Sequence, residues 1–155
     1  MPKITPSLWF DNNAEEAMNF YVSIFKNSKI VSLRRFDGPG GKGTVVTGSF
    51  ELDGQTFMAL QGGPLFKFTE AISMYVNCET QEEVDYYWEK LTAGGSESRC
   101  GWLKDKYGLS WQIVPSALGQ MLGDKDPAKS KRVMEAMLQM KKIDIGRLQQ
   151  AYAEP

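Results

Sequence analysis

The residue types that most often carry out chemistry leave few options in this chain. Its 155 residues include no histidine, which excludes Ser-His-Asp and Cys-His nucleophilic sites, histidine metal ligands and imidazole acid–base catalysis. The two cysteines, Cys78 and Cys100, are too few for a zinc site of four thiolates. Because no histidine can activate them, we interpret both as small reduced thiols. Any chemistry must therefore rest on carboxylates, lysines, tyrosines, thiols or backbone groups.

Two acidic pairs and one glycine-rich stretch imitate functional motifs. Glu15-Glu16 and Glu82-Glu83 each lie in the first turn of a predicted helix, where acidic side chains complement the helix dipole. The stretch over 38–43 precedes a β-branched segment rather than a helix, and it lacks the spacing of a phosphate-binding loop. We interpret the acidic pairs as helix-stabilising and the glycine-rich stretch as a hairpin loop.

Two glutamines remain as candidates for binding. Gln61 ends one predicted strand, and Gln112 lies in another. Period-two alternation places Gln61 on one strand face with Phe57 and Ala59, and we expect that face to line a solvent-connected cleft shared with Gln112. The opposite, helix-covered faces would then carry Met58, Leu60, Trp111 and Ile113. The alternative is that each amide satisfies backbone groups at the end of its own strand.

The elements that must position these side chains form a repeat. A strand over 4–10 precedes a helix with Asn13 as N-cap and Glu16 at capping-box spacing, and strands over 29–36, 44–52 and 56–61 follow. A strand over 72–76, a helix capped by Thr80, and strands over 98–103 and 109–114 repeat this order. The sequence thus predicts a single α+β domain of two βαβββ modules, over 4–62 and 72–115, with a helical tail over 116–155.

The tail carries an apolar stripe of four residues: Val133, Ala136, Met137 and Met140. Pro127 stands where helices begin, and the region before it reads as a loop or one weak helical turn. A stripe of this kind needs a partner surface, either in its own chain or in another subunit. We favour a homodimer in which the tail reaches across to the other subunit.

Composition excludes several classes of protein. The 42% hydrophobic and 24% charged fractions are those of an ordinary globular chain. A net charge of −1 argues against a nucleic-acid partner. No apolar run is long enough for a membrane span, and the first residues lack the features of a signal peptide. We therefore expect a cytoplasmic protein without membrane or nucleic-acid partners.

Four segments resemble a known family. They read ITPSLWFD over 4–11, AEEA and NFY over 14–21, FMALQGG over 57–63, and CGWLKDKYGLSWQIVP over 100–115. These segments resemble PhnB-like proteins, also called 3-demethylubiquinone-9 3-methyltransferase-like domains, of the vicinal oxygen chelate (glyoxalase/bleomycin-resistance) superfamily. The resemblance implies paired βαβββ modules that form a curved, incompletely closed sheet around a cleft. It also raises the expectation of a homodimer.

The resemblance also implies positions for metal ligands. In metal-dependent relatives the ligands lie on the first and last strand of each module, which corresponds here to Pro6, Gln61, Ile72 and Gln112. Proline and isoleucine side chains cannot ligate a metal, and neutral amides replace the carboxylates that oxygen-rich sites need. We therefore expect no metal. We also expect no cofactor, since no strand–glycine loop–helix suited to S-adenosylmethionine is found.

Two functional hypotheses follow. The first is a metal-free module that binds a small, partly aromatic or apolar molecule in the cleft, where Phe57 and Trp102 stack on it and Gln61 and Gln112 donate or accept hydrogen bonds. The second is a metal-free enzyme of the same superfamily, such as a lyase, an isomerase or, by the family name, a methyltransferase. Asp105 and Tyr107 are the nearest candidates for its catalytic groups.

Overall fold

Each half of the chain folds around one mixed four-stranded sheet. The computed structural model describes residues 2–38 and 44–154 and divides the chain into two compact units, residues 1–68 and 69–155. Both units contain the element order β-α-β-β-β, and the described part of the second continues into three further helices. The prediction of an α+β fold is therefore confirmed.

The first unit contains β1 (Ser7–Phe10), α1 (Ala14–Ile24), β2 (Lys29–Asp37), β3 (Thr44–Leu52) and β4 (Gln55–Gln61). Its sheet has the order β1-β4-β3-β2, with β1 parallel to β4 and the other neighbours antiparallel. Asp53 and Gly54, both at positive φ, form the predicted tight turn between β3 and β4. The predicted hairpin loop over 38–43 joins β2 to β3, but residues 39–43 lie outside the described part of the chain.

Helix α1 covers one face of this sheet. Tyr21 of α1 stacks on Phe50 of β3 with ring centroids 6.3 Å apart, and Phe50 stacks on Phe57 of β4 at 5.5 Å. Gly48 allows the close approach, because a Cβ there would lie 2.9 Å from the methyl carbon of Met18 on α1. The buried residues Leu8, Phe10, Val46, Leu52 and Ala59 complete this side of the sheet. The opposite face, which α1 does not cover, is called the open face of the first sheet.

The second unit repeats the arrangement with shorter second and third strands. Its elements are β5 (Ser73–Cys78), α2 (Gln81–Thr92), β6 (Ser96–Glu97), β7 (Trp102–Lys104) and β8 (Ser110–Pro115), in the sheet order β5-β8-β7-β6. The Thr80 side chain accepts a hydrogen bond from the Glu83 amide at 3.2 Å, as the capping prediction requires. The predicted strand over 98–103 is wrong, because Cys100 and Gly101 both adopt positive φ and turn the chain there.

The tail forms three helices, α3 (Ser116–Leu122), α4 (Pro127–Leu138) and α5 (Ile145–Ala153). Val133 of α4 is fully buried with Ile143 and Leu148, in a cluster that also contains Val114 of β8. Ala136 and Met137 pack against the same cluster. The stripe is therefore covered by its own chain, and the expectation that it crosses to another subunit is wrong. Helix α5, which sequence patterning did not resolve, supplies the missing surface.

No helix in the described ranges combines the length and the apolar character that a membrane span requires. The longest of them have 12 residues, well short of the roughly 20 that a hydrocarbon core needs.

Candidate functional site

Gln61 connects three elements of the first unit. Its Oε1 accepts a hydrogen bond from the Ala14 amide at 3.2 Å, and its Nε2 donates to the Thr44 carbonyl at 3.0 Å. Asn13 occupies the N-cap position of α1, but its side chain makes no capping bond. Gln61 thus satisfies one of the free amides at the start of α1, a role that normally belongs to the N-cap residue. This matches the local alternative that the sequence left open.

The predicted face assignment of β4 is wrong. Phe57 and Ala59 are 9% and 2% exposed, whereas Met58 is 46% exposed on the open face. Gln61 shares the covered face with Phe57, because it pairs with the buried Val46 of β3 and its amide bonds to the start of α1. Alternation showed which residues share a face, but apolar residues occur on both faces of this strand. Phe57 is therefore a core residue that stacks on Phe50, not a ligand platform on the open face.

In the second unit, three side chains lie in a row across neighbouring strands. Strand register pairs Gln112 of β8 with Tyr75 of β5 on one side and with Trp102 of β7 on the other. Directly paired residues point to the same side of a sheet. Tyr75 is 60% exposed, and Trp102 and Gln112 are half-buried. We call these three residues the aromatic–amide row; sequence reasoning named Gln112 and Trp102 but missed Tyr75.

The polar groups around the aromatic–amide row are only partly satisfied by the protein. Gln112 Nε2 donates to the Ser73 hydroxyl at 2.9 Å. Ser110, two positions before Gln112 on the same strand face, is fully buried, and its hydroxyl finds no partner among the described residues. A buried polar atom without a partner is uncommon and needs an explanation, which a bound molecule or water would provide.

Charge near the row is compensated. Lys104 lies opposite Ser110 in the ladder, so it shares the strand face of the row, and its Nζ is 2.7 Å from an oxygen of Glu70. The hydrogen bond from Lys104 lowers the pKa of Glu70 below its ordinary value, with the positive charge acting in the same direction. The surroundings of the row therefore favour an uncharged or weakly charged molecule.

Pro6 and Ile72 precede β1 and β5, respectively, and both side chains are exposed. The Pro6 carbonyl accepts a hydrogen bond from the Met58 amide at 2.8 Å, which continues the β1–β4 pairing by one step. Neither side chain offers a donor atom, and both polar atoms of the Gln61 amide are occupied. Within the described ranges, no three histidine, cysteine, aspartate or glutamate residues are grouped so that they could hold a metal ion. These residues do not fit the metal that the fold family implies.

Asp105 has a local structural task. It is 3% exposed, and its Oδ1 accepts hydrogen bonds from the amides of Tyr107 and Leu109 at 2.8 and 3.1 Å. Its Oδ2 accepts from the Trp111 indole at 2.8 Å. The carboxylate thus closes the turn between β7 and β8 and fixes the core indole. With both oxygens engaged by protein donors, Asp105 is poorly suited to take a proton from a bound molecule. Tyr107 follows it in the same turn, and the Lys106 Nζ lies 5.5 Å from the centroid of its ring.

The cysteines are free and differ in their surroundings. Cys78 is fully buried, and Cys100 is half-buried. Burial raises the pKa of the Cys78 thiol to about 12, and the nearby carboxylates of Glu83 and Glu79 act in the same direction. A thiol that stays protonated is a poor nucleophile, so Cys78 acts as a small apolar residue.

A separate cavity of about 620 Å³ lies at the start of α1. Its lining includes Gln61, Glu16 and the ion pair of Glu15 with Arg35. In this cavity the arginine is already paired and Gln61 is doubly hydrogen-bonded, and the remaining polar side chains of the lining are those of Asn12, Asn13, Glu16 and Thr44.

Comparison with known proteins gives a family match over most of the chain. The model of the 3-demethylubiquinone-9 3-methyltransferase family matches residues 2–114. No curated protein matches the chain. Among solved structures, the PhnB protein from Bacillus cereus is 44% identical and aligns with a TM-score of 0.68 over 74% of this chain and 100% of its own.

More distant structures share the fold. A protein from Pseudomonas aeruginosa is 19% identical, with a TM-score of 0.59 over 74% of this chain and 96% of its own. The fosfomycin resistance protein FosX from Listeria monocytogenes, solved with Mn(II) and sulfate, is 17% identical, with a TM-score of 0.51 over 72% of this chain and 89% of its own. At these identities the likeness concerns the fold alone.

Proposed function

This chain belongs to the 3-demethylubiquinone-9 3-methyltransferase (PhnB-like) family and has the vicinal oxygen chelate fold, and from that premise we propose that it binds a small, partly aromatic molecule without a metal ion. The binding surface that we propose is the aromatic–amide row of the second sheet. The row combines two aromatic faces with one hydrogen-bonding amide, which suits a planar molecule that carries a polar substituent.

The observation that carries the proposal is the register of β5, β8 and β7. It places Gln112 directly between Tyr75 and Trp102, so a planar molecule that contacts either ring also meets the amide. Gln112 Nε2 is held by Ser73, which fixes the orientation of the amide. Its Oε1 is then available to accept a hydrogen bond from the bound molecule. The Ser110 hydroxyl lies on the same strand face but is fully buried, so the Gln112 amide is the polar contact that the proposal uses.

The absence of a metal is proposed from the chemistry of the donor set. The chain has no histidine, and the positions that would ligate a metal in relatives hold proline, isoleucine and two neutral glutamines. Divalent ions in oxygen-rich sites need anionic ligands, which these residues do not provide. The Mn(II) ion in the FosX structure belongs to that protein.

The family name refers to methyl transfer, but no residue in the described ranges supports that activity. The element that follows the glycine-rich stretch is the strand β3, not a helix. A site for S-adenosylmethionine of the strand–loop–helix type would need the helix. For the enzyme hypothesis, Asp105 offers little, because both of its oxygens are engaged by protein donors.

The test is a binding screen with matched variants. Small planar molecules are titrated against the wild-type protein, with tryptophan fluorescence as the readout, in the presence and absence of EDTA. We expect saturable binding that EDTA leaves unchanged, that Trp102→Ala and Gln112→Leu abolish, and that Tyr75→Ala weakens. Tyr86→Ala is the control, since Tyr86 is an exposed tyrosine on α2 outside the row.

Three results would contradict the proposal: binding that requires about one metal ion per chain, binding that survives both Trp102→Ala and Gln112→Leu, or no saturable binding of any planar molecule. Elemental analysis of the dialysed protein checks the first. Mass spectrometry of small molecules that co-purify with the wild-type protein, compared with the two variants, identifies the natural ligand class.

Two further expectations belong to this proposal. Two free cysteines suit a reducing compartment, so we propose a cytoplasmic location. We also propose a homodimer, on the strength of the family resemblance alone, since the tail stripe is covered within the chain. Light scattering at micromolar concentration would show a monomer if the dimer proposal is incorrect.

A further inference from the structure

A β-bulge in β2 decides which of two neighbouring arginines reaches the open face of the first sheet. Ile30 pairs with Phe50, but the register then shifts, and Ser32 pairs with Ser49. If the pairing continued from Ile30 without this shift, Arg34 would pair with Val46 on the face that α1 covers. The extra residue instead places Arg34 opposite Thr47 on the open face, a re-aiming that bulges commonly produce.

The bulge thereby groups donor side chains on the open face. Arg34, Ser32, Thr47 and Ser49 occupy adjacent positions on β2 and β3 and line a cavity of about 290 Å³. The hydroxyls of Ser32 and Ser49 are 2.8 Å apart and form a hydrogen bond in which either can be the donor. Whichever hydroxyl accepts that bond keeps its own hydrogen for a ligand. Met58 forms an apolar wall of the same cavity.

The positive charge in this cavity is not neutralised. Arg34 makes no ion pair with a described residue, and the cavity lining contains no carboxylate. Arg35, the next residue, faces the opposite side of the sheet and forms an ion pair with Glu15. The two arginines have the same chemistry, but only one of them is left to bind an anion.

We propose that this cavity binds the oxyanion of a small phosphorylated, phosphonylated or sulfated molecule. A guanidinium donates two parallel hydrogen bonds to two oxygens of such a group. Thr47 is the strand partner of Arg34, and the serine pair lies two positions along the same two strands, so their hydroxyls are placed to donate to a third oxygen. Tetrahedral oxyanions present three such oxygens, whereas a carboxylate presents two. The proposal goes beyond the aromatic–amide row and uses none of its residues, so either can fail alone.

Inorganic phosphate is the probe for the test, and sulfate and acetate are compared with it at constant ionic strength. Isothermal titration calorimetry measures the affinity for the wild-type protein, and circular dichroism confirms that each variant is folded. We expect saturable phosphate binding at one site per chain, with sulfate similar and acetate weaker. Arg34→Met should weaken binding by roughly tenfold or more, the loss expected for a charge-assisted hydrogen bond. The affinity of Arg34→Lys should lie between those of the wild type and Arg34→Met, because lysine keeps the positive charge but cannot donate two parallel hydrogen bonds.

Arg35→Met is the matched control. It removes the same charge from the adjacent position. If phosphate binds through general electrostatic attraction, Arg35→Met should weaken binding as much as Arg34→Met does. If phosphate binds at the cavity on the open face, Arg35→Met should leave the affinity unchanged. Ser49→Ala should weaken binding by several-fold, since it removes the hydroxyl pair. No saturable phosphate binding in the wild-type protein would overturn the proposal. Equal weakening by the two methionine variants would overturn it as well.

Discussion

Replacing Asp105 by alanine should destabilise the protein severely, because three donors lose their acceptor at once. The amides of Tyr107 and Leu109 and the indole of Trp111 all donate to this carboxylate at 2.8–3.1 Å, and the residue is 3% exposed. A buried donor left without a partner costs about 1–3 kcal/mol. With two of the three donors deeply buried, the free energy of unfolding should fall by about 3–6 kcal/mol. For a chain of this length that corresponds to a melting temperature about 10 °C lower or more.

Asp105→Asn separates the hydrogen bonds from the charge. The amide oxygen can still accept from Tyr107 and Leu109, but the amide nitrogen then meets the Trp111 indole donor to donor. We expect a loss of about 2 kcal/mol, between the wild type and the alanine variant. Urea denaturation followed by circular dichroism measures each value, with Asp37→Ala as an exposed control. The structural role is refuted if Asp105→Ala loses less than about 1 kcal/mol. It is also refuted if Asp105→Asn abolishes a reaction or ligand binding at unchanged stability.

Three other measurements test the remaining assignments. Gln61→Ala should lower the free energy of unfolding in urea by about 1–2 kcal/mol, since it removes two hydrogen bonds, including the one at the start of a helix; an unchanged value would contradict the capping role. Leu148→Ala should cost about 2–5 kcal/mol, whereas Leu138→Ala on the half-exposed side of the tail should change stability by less than about 0.5 kcal/mol. Because the pKa of Cys78 is raised to about 12 in the folded state, the contribution of its neutral thiol to stability is complete below pH 9 and is lost as the pH rises towards 12. In the folded protein, Cys100 should therefore react with a thiol reagent before Cys78 does, and simultaneous reaction would contradict the burial of Cys78.

Local signals in the sequence predicted the elements well. Helix α1 begins right after Asn13 and α2 right after Thr80, because the apolar spacing that marks each helix is encoded within a few residues. The Thr80 side chain makes the predicted capping bond, whereas that of Asn13 does not. The turn at Asp53 and the repeat of the βαβββ order are equally local, and both are confirmed.

The side of each strand that a helix covers could not be predicted in the same way. In β4 both faces carry apolar residues, so the polar Gln61 was used to identify the solvent-facing side. That reasoning failed because the backbone amides at the start of a helix also need polar partners. Gln61 supplies one to the Ala14 amide, although the two residues are 47 positions apart in the sequence. The partner of the tail stripe was equally non-local, because Leu148 and Ile143 cover it from beyond the predicted helix.

The candidate site was predicted in part. Gln112 and Trp102 do lie side by side, since the motif that contains them spans two paired strands. Tyr75 was missed because its strand pairs with β8 in parallel, over a long separation in sequence. Arg34 was missed because a shift in strand register leaves no trace in the alternation of residue types.

At the bulge in β2, one residue can be removed without moving the other side chains of the strand to the opposite face of the sheet. Deleting Val31, which is 54% exposed, would leave Ile30 opposite Phe50 and Ser32 opposite Ser49, so the strand would become regular and both halves would keep their partners. Deleting Leu33 instead would turn Arg34 towards α1 and bring Arg35 to the hydroxyls. Relatives that are one residue shorter should therefore tolerate the gap at position 31, whereas a gap two positions later would interchange the two arginines.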